Sequence, residues 1–191
     1  MKIYTMTLND VKTGDDFLVK GNTWLSKIIC AVMKKWGKKN GYDVSLLFSH
    51  AAQFLWIADE LYLFGSVDTG YRPILFKNHY NWDTDNFVVM RRNVELTEEE
   101  MKQTINYCLH LDTVSQGYQY WNFIQWLLLV YLNINTFKDT DRFNYCYESE
   151  RKCRKNLNPD HYGDVAETSI FDLLFDKFYG IIYKSKNIAI K

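Results

Sequence analysis

A cysteine late in the sequence, Cys146, has the surroundings expected of a nucleophile. It follows Asn144 and Tyr145 and begins a segment with helical spacing, so we predict that it lies in the first turn of a helix. The positive end of a helix dipole and the free backbone N–H groups there favour a thiolate and can bind an oxyanion. A free cysteine is also among the most frequently buried residues, so a role as a small core side chain is the alternative.

A histidine early in the sequence, His50, could serve as the base for such a thiol. It follows Ser49 in the apolar segment of residues 46–52, which we predict to be a strand. An imidazole at this position could take the thiol proton during attack on a carbonyl. The alternative is a hydrogen-bonded histidine of the core or of a sheet edge, and the residues alone leave both interpretations open.

The other residues that bind metals or cofactors in proteins are not suitably spaced. Three further histidines have no metal-ligand spacing with each other or with the cysteines, namely His79, His110 and His161. The sequence also has no Gly-rich loop of the kind that cradles a phosphate. We therefore predict neither a metal nor a cofactor.

The spacing of apolar and turn-forming residues predicts both strands and helices. The predicted strands are residues 17–19, 45–57, 60–67, 73–76, 87–91 and 180–183. The predicted helices are residues 24–36, 98–111, 120–132, 146–157 and 169–178. Gly37 is predicted to end the first helix, Ala58 and Asp59 to form a hairpin turn, and Thr97 with Glu100 to form a capping box.

The charge and the apolar content limit the kind of protein. Acidic and basic residues number 23 each, so no overall field attracts nucleic acid. Hydrophobic residues make up 47% of the chain, which suffices for the core of a single domain covering residues 1–191. The longest apolar run, residues 120–134, is shorter than the ~20 residues of a membrane span. We interpret the basic cluster at residues 151–155 as the solvated part of a helix.

The sequence also bears on the compartment. Its first ten residues contain no apolar core of signal-peptide length. The four cysteines form no CxxC pair, which favours a reducing compartment: Cys30, Cys108, Cys146 and Cys153. These two features predict a cytoplasmic or virion-associated protein. Richness in Asn, Lys, Ile and Tyr suggests an AT-rich genome, as in some bacteriophages and low-GC bacteria.

The order of several short motifs resembles that of the permuted papain-like (NlpC-type) cysteine hydrolases. In chain order they are Thr13-Gly14-Asp15, Gly21 with Trp24 and Ser26, Ser49-His50, residues 87–91, Tyr118, and Tyr145-Cys146-x-Glu148. The resemblance extends over residues 11–180. It implies an α+β fold in which an antiparallel sheet packs against helices, with the strand of His50 against the helix of Cys146.

The resemblance also implies a site and a class of substrate. Cys146 would be the nucleophile and His50 the base, and the pocket would include Asp15, Trp24, Ser49, Tyr118 and Tyr147. Related proteins cleave peptide or isopeptide bonds and, in some branches, lipid acyl bonds. We therefore expect a peptide or acyl substrate.

Two positions depart from the family pattern. Tyr147 stands where the family has a serine, and Gly65-Ser66 stands where the family commonly has an acidic residue followed by alanine. The third group orients the imidazole and stabilises its charged form, so its loss reduces the rate. Counting back from the hairpin turn places Ser66 or Val67 opposite His50, and we assign Ser66 as the substitute orienting group.

Two functions therefore follow from the sequence. The first is a thiol hydrolase that acts by acyl transfer through a Cys–His dyad. The second is a papain-like module that has lost catalysis and serves as a structural or interaction protein, for example of a bacteriophage particle, with other proteins as assembly partners. The missing acidic residue and Tyr147 favour the second.

Overall fold

The computed structural model describes residues 6–67, 70–115, 117–118, 120–137, 143–162, 165 and 168–185. Its strands are β1 (Asp16–Val19), β2 (His50–Ile57), β3 (Glu60–Val67), β4 (Gly70–Leu75), β5 (Phe87–Arg92), β6 (Gly117–Tyr118), β7 (Phe143–Asn144) and β8 (Tyr179–Lys184). Its α-helices are α1 (Trp24–Lys39), α2 (Phe76–His79), α3 (Glu98–Val114), α4 (Tyr120–Leu127), α5 (Cys146–Leu157) and α6 (Ile170–Leu174). A π-helical turn, Leu128–Leu132, continues α4.

Six of the strands form one antiparallel sheet in the order β4-β3-β2-β1-β5-β8. Strands β2 and β3 form the predicted hairpin, and Ala58 and Asp59 at its turn have φ values of 48° and 63°. Both lie in the left-handed region, as a two-residue type I′ turn requires. The short strands β6 and β7 pair in parallel beside the start of α5.

The sheet has two covered faces, and successive side chains of a strand alternate between them. The helix face packs with residues of α1, α4, α5 and α6, and its core residues are Leu18, Ala51, Val88 and Met90. The outer face packs with α2 and the segment that follows it, and its core residues are Phe17, Val19, Ala52, Phe54, Phe87 and Val89. The face on which a strand residue lies therefore decides which layer it can contact.

Capping residues set the beginnings of the longest helices. The hydroxyl of Thr97 accepts a hydrogen bond from the N–H of Glu100, and the Glu100 carboxylate accepts one from the N–H of Thr97. This is the predicted capping box, and α3 begins there. The hydroxyl of Thr23 likewise accepts from the N–H of Ser26 at 3.1 Å and caps α1.

Several predicted boundaries were wrong. Helix α1 continues past Gly37 to Lys39. Gly37 is buried inside the helix. A Cβ at this position would collide with the ring of Phe171 in α6, so the glycine permits close packing of the two helices. The predicted strand at residues 45–57 begins only at His50, and Phe76 belongs to α2 rather than to β4. Within the described ranges, no helix combines the length and the apolar character that a membrane crossing needs.

Candidate functional site

Cys146 is the first residue of α5, as the sequence predicts. The preceding residue, Tyr145, is extended, and its side chain does not cap the helix. Its hydroxyl instead donates to the carbonyl of Thr168 at 2.6 Å. The positive end of the α5 dipole lies at Cys146, and it favours an oxyanion or a thiolate there.

Two consecutive residues of α5 contact the segment that leads into β2. The Cys146 Sγ lies 3.8 Å from the carbonyl oxygen of Ser49, and the Tyr147 hydroxyl donates to the carbonyl of Phe48 at 2.5 Å. Both Cys146 and Tyr147 are 2% exposed. The Tyr147 ring is therefore buried and holds the start of α5 against residues 48–49.

A cavity of about 440 Å³ lies between α1, α4 and the start of α5. Its lining consists of Trp24, Leu25, Ile29, Val32, Met33, Ser49, Asn122, Phe123, Ile124, Trp126, Tyr145, Cys146 and Tyr147. Four residues of the predicted site thus line the same cavity: Trp24, Ser49, Cys146 and Tyr147. None of these thirteen residues carries a charge.

His50 is the first residue of β2 and pairs with Val19 of β1. Since Val19 and Ala52 belong to the outer face, strand alternation places the His50 side chain on that face, whereas Cys146 packs on the helix face. His50 is not among the residues described as lining the Cys146 cavity. Burial lowers the pKa of His50 to about 4, so its imidazole is neutral at pH 7.

Ser66 lies on the helix face. Its hydroxyl donates to the Ser149 hydroxyl at 3.0 Å, and Ser149 in turn donates to the carbonyl of Cys146 at 3.0 Å. The β2–β3 register pairs Gln53 with Phe64, and its continuation sets Ser66 opposite Ala51 and Val67 opposite His50. Ser66 therefore supports the first turn of α5, and the sheet separates it from the side chain of His50.

Asp15 and Tyr118 have different surroundings. Asp15 lines a second cavity, of about 410 Å³, and accepts hydrogen bonds from Arg91 at 2.7 and 2.6 Å. Burial raises the pKa of Asp15 even though Arg91 opposes that rise. The backbone of Tyr118 pairs with Asn144, two residues before Cys146, but its side chain lies outside the described part of the chain.

The sequence analysis missed a buried polar layer beneath the start of α5. Glu148 and Lys152 form an ion pair at 3.2 Å, and Asn122 donates to the Glu148 carboxylate at 3.3 Å. Arg154 pairs with Asp16 and is wholly buried. The basic cluster at residues 151–155 was thus wrongly interpreted as solvated. The only sequence signal was the i,i+4 spacing of Glu148 and Lys152, which solvated helices share.

Comparisons with known proteins show the fold. No protein-family model matches the chain, and no curated protein matches it. The structure is similar to the crystal structure of YiiX, a metalloprotein of Escherichia coli O157:H7, with a TM-score of 0.55 and 18% identity. The match covers 80% of this chain and 69% of that chain. The predicted α+β fold, an antiparallel sheet packed against helices, is confirmed.

The YiiX structure is described as that of a metalloprotein, which raises the question of a metal site in this chain. Among the residues whose placement the structure gives, no group of three or more His, Cys, Asp or Glu side chains could hold a metal ion.

Proposed function

We propose that this chain is a thiol hydrolase in which Cys146 attacks an amide or ester carbonyl. The observation that supports the proposal is the position of the thiol, at the first residue of α5 and in the wall of a cavity. The volume of about 440 Å³ is within the ~300–1,000 Å³ of small-molecule sites. A helix start that faces such a cavity supplies both a nucleophile and oxyanion donors.

The reaction consists of two acyl transfers. In the first, the Cys146 sulfur bonds to the carbonyl carbon, and the thiol proton passes to a base. N–H groups of the first turn of α5 stabilise the oxyanion. The C–N or C–O bond then breaks, and the leaving group takes the proton. In the second transfer, water attacks the thioester, which releases the acid and restores the thiol.

We propose His50 as the base. The residue before it, Ser49, contacts the Cys146 sulfur through its carbonyl, and the imidazole is neutral at pH 7, which is the protonation state that a base requires. The strand register directs His50 to the outer face of the sheet. Proton transfer therefore requires the imidazole to move to the helix face at the start of β2. Ser66, in this proposal, positions Cys146 through Ser149.

A second candidate function is a non-catalytic module. It is favoured by the placement of His50 and Cys146 on opposite faces of the sheet and by Gly65-Ser66 in place of an acidic residue followed by alanine. In this case the chain would act as a structural or interaction protein, for example in a bacteriophage particle. Its function would then depend on partner proteins and not on the reactivity of Cys146.

An acylation experiment separates the two functions. The protein is mixed with a p-nitrophenyl ester, and the release of p-nitrophenolate and the mass of the cysteine peptides are measured. A hydrolase gives a burst of one equivalent and an acyl adduct on Cys146, both absent in Cys146→Ala. His50→Gln should slow the burst by about 10²–10⁴-fold. Cys30→Ser is the matched control, since Cys30 is 8% exposed and outside the cavity.

An acyl adduct that forms no faster on Cys146 than on Cys30 would support the non-catalytic module. A full burst in His50→Gln would retain Cys146 as the nucleophile and remove His50 as its base. Both outcomes can be obtained with folded protein, because neither Cys146→Ala nor His50→Gln removes a backbone hydrogen bond between the strands of the sheet.

A further inference from the structure

Helix α1 is strongly basic although the chain as a whole has no net charge. Residues 17–42 contain six lysines and no acidic residue, and five of these lysines belong to α1. At 3.6 residues per turn, the exposed residues of α1 all lie within an arc of roughly 140°. They are Trp24, Lys27, Ile28, Ala31, Lys34, Lys35, Lys38 and Lys39. One side of the helix therefore combines positive charge with two large apolar side chains.

Helix α4 and the π-helical turn that continues it lie beside α1. Near the beginnings of the two helices, Trp24 and Ile124 line the same cavity. Further along both segments, the Lys35 amine lies 3.4 Å from the centroid of the Tyr131 ring, and the Lys39 amine donates to the side chain of Asn133 at 2.8 Å. These pairs follow the chain order in both segments, so the segments run in the same direction and share one surface.

The second segment adds apolar side chains to this surface. Residues 113–138 contain no acidic residue. Five large apolar side chains of this segment are between 42% and 63% exposed: Trp121, Ile124, Tyr131, Leu132 and Ile134. We call these five, together with the exposed residues of α1, the basic apolar surface. Exposed apolar residues grouped in this way mark an interaction site.

The composition of the basic apolar surface favours one kind of partner. Lysine side chains keep their amines among anionic groups while their stems lie along apolar surface. Tryptophan and tyrosine prefer the boundary between lipid headgroups and acyl chains, and aliphatic side chains gain by entering that boundary. A nucleic acid or an acidic peptide would satisfy the lysines but would offer no apolar layer to Leu132 and Ile134. An anionic bilayer matches both components.

We propose that the basic apolar surface docks on an anionic lipid bilayer, with α1 and α4 lying along the membrane plane. The lysines of α1 contact the anionic headgroups, and the exposed side chains of α4 and the π-helical turn enter the headgroup boundary. The partner is the bilayer surface itself. This docking requires neither the reactivity of Cys146 nor the movement of His50, so it stands or falls apart from the proposed function.

Vesicle binding tests the proposal with the wild-type protein. The protein is sedimented with vesicles of phosphatidylcholine alone and with vesicles that also contain about 30% phosphatidylserine. We expect at least tenfold stronger partitioning onto the anionic vesicles, and a loss of this preference between about 50 and 500 mM salt because salt screens surface charges. The same partitioning onto both kinds of vesicle, or none onto either, overturns the proposal.

A pair of charge variants locates the contact. Each lysine near an anionic membrane strengthens partitioning about fivefold, so Lys34→Gln with Lys38→Gln should weaken it more than tenfold. The matched control is Lys102→Gln with Lys177→Gln, which removes the same charge from exposed positions outside the basic apolar surface and should change partitioning less than threefold. Equal losses in the two double variants would show attraction by charge alone, without this surface, and would overturn the proposal.

A pair of apolar variants tests insertion into the headgroup boundary. Trp121→Ser with Leu132→Ser should weaken partitioning more than tenfold, whereas Val94→Ser, at a residue that is 68% exposed between β5 and α3, should leave it unchanged. Retained partitioning in the first variant contradicts the proposal. Thermal unfolding confirms that each variant is folded, and the tryptophan measurement below needs only wild-type protein and conservative changes.

Tryptophan fluorescence shows how the protein lies on the vesicles. Trp24 and Trp121 are exposed, whereas the other four tryptophans of the chain are buried or half-buried. Phospholipids brominated in the acyl chains should quench the wild-type emission, and Trp24→Phe with Trp121→Phe should abolish most of this quenching. Unquenched wild-type emission overturns the proposal. Tighter binding of polyuridylate or polyglutamate than of anionic vesicles, or a dimer that Leu132→Ser dissociates, would assign the surface to another partner.

Discussion

Arg154 in α5 donates two hydrogen bonds to one carboxylate oxygen of Asp16 in β1, and neither side chain has any exposed surface. A second carboxylate, that of Asp176, lies 3.0 Å from the same guanidinium. Asp16 lies near the beginning of the described chain, whereas Arg154 and Asp176 lie near its end. This contact ties α5, and with it Cys146, to the centre of the sheet.

Removing this guanidinium should be severely destabilising. Arg154→Met leaves Asp16 buried without its cation, and breaking a buried pair in this way costs about 3–5 kcal/mol of unfolding free energy. Urea unfolding of both proteins measures the loss. The control is Arg151→Met in the same helix, whose partly exposed pair with Asp172 should contribute less than about 1 kcal/mol. Equal losses in the two variants would contradict the prediction.

Glu150, one turn after Cys146, should make the protein less stable as the pH rises. Burial, followed by the charge of Asp16, raises the pKa of Glu150 well above its usual value. The folded state therefore holds a proton that the unfolded chain releases near pH 4.5, so stability falls with pH above that value. Glu150→Gln should match the wild type at pH 4 and exceed it at pH 8 in urea unfolding. A variant that is less stable at pH 8 would show that Glu150 is charged there.

His50 should give the opposite dependence on pH. Its pKa is lowered to about 4 in the folded state from 6.5, so the unfolded state binds a proton first as the pH falls. The stabilisation that the neutral imidazole gives the folded state is therefore complete above pH 6.5 and is lost as the pH falls towards 4. At ~1.4 kcal/mol per unit, and with the residue only partly exposed, we expect a loss of about 1–3 kcal/mol.

The comparison that isolates this effect uses His50→Gln. The difference in unfolding free energy between wild type and variant is measured at pH 7 and at pH 4.5, so that other titrating groups cancel. The difference should shift in favour of the variant at the lower pH. An unchanged difference would mean that the imidazole is solvated.

Gly37→Ala should destabilise the protein even though alanine favours helices by about 1 kcal/mol. The added Cβ meets the ring of Phe171, which is fully buried and stacked on Trp36 and Tyr42. The ring cannot move freely, and overpacking of this kind costs about 1–3 kcal/mol. Thermal unfolding shows the net loss. In a Phe171→Leu background the same substitution should cost less, and an equal cost would exclude the ring as the cause.

Local signals in the sequence predicted much of the fold. Ala58 and Asp59 set the hairpin register, and Thr97 with Glu100 sets the start of α3, because turns and caps depend on neighbouring residues. The start of α5 at Cys146 was predicted from the helical spacing of the residues that follow it. These features also place the candidate thiol correctly at a helix N-terminus.

The face of the sheet on which His50 lies could not be predicted in this way. Strand β2 has buried side chains on both faces, for example Ala51 and Leu55 on one and Ala52 and Phe54 on the other. Such a strand has no alternation of apolar and polar residues that would mark its sides. The burial of Arg154 was missed because its partner, Asp16, is 138 residues away.

The order of the elements also has a consequence during protein synthesis. The residues of the helix face, from Leu18 to Met90, leave the ribosome before α5, which begins 54 residues after the end of β5. At ~5–20 residues per second, this interval is roughly 3–11 s. Throughout it, the part of the helix face that α5 and α6 cover lacks these two helices and can be bound by chaperones. A truncated product that ends before Cys146 contains most of the sheet but not the candidate nucleophile.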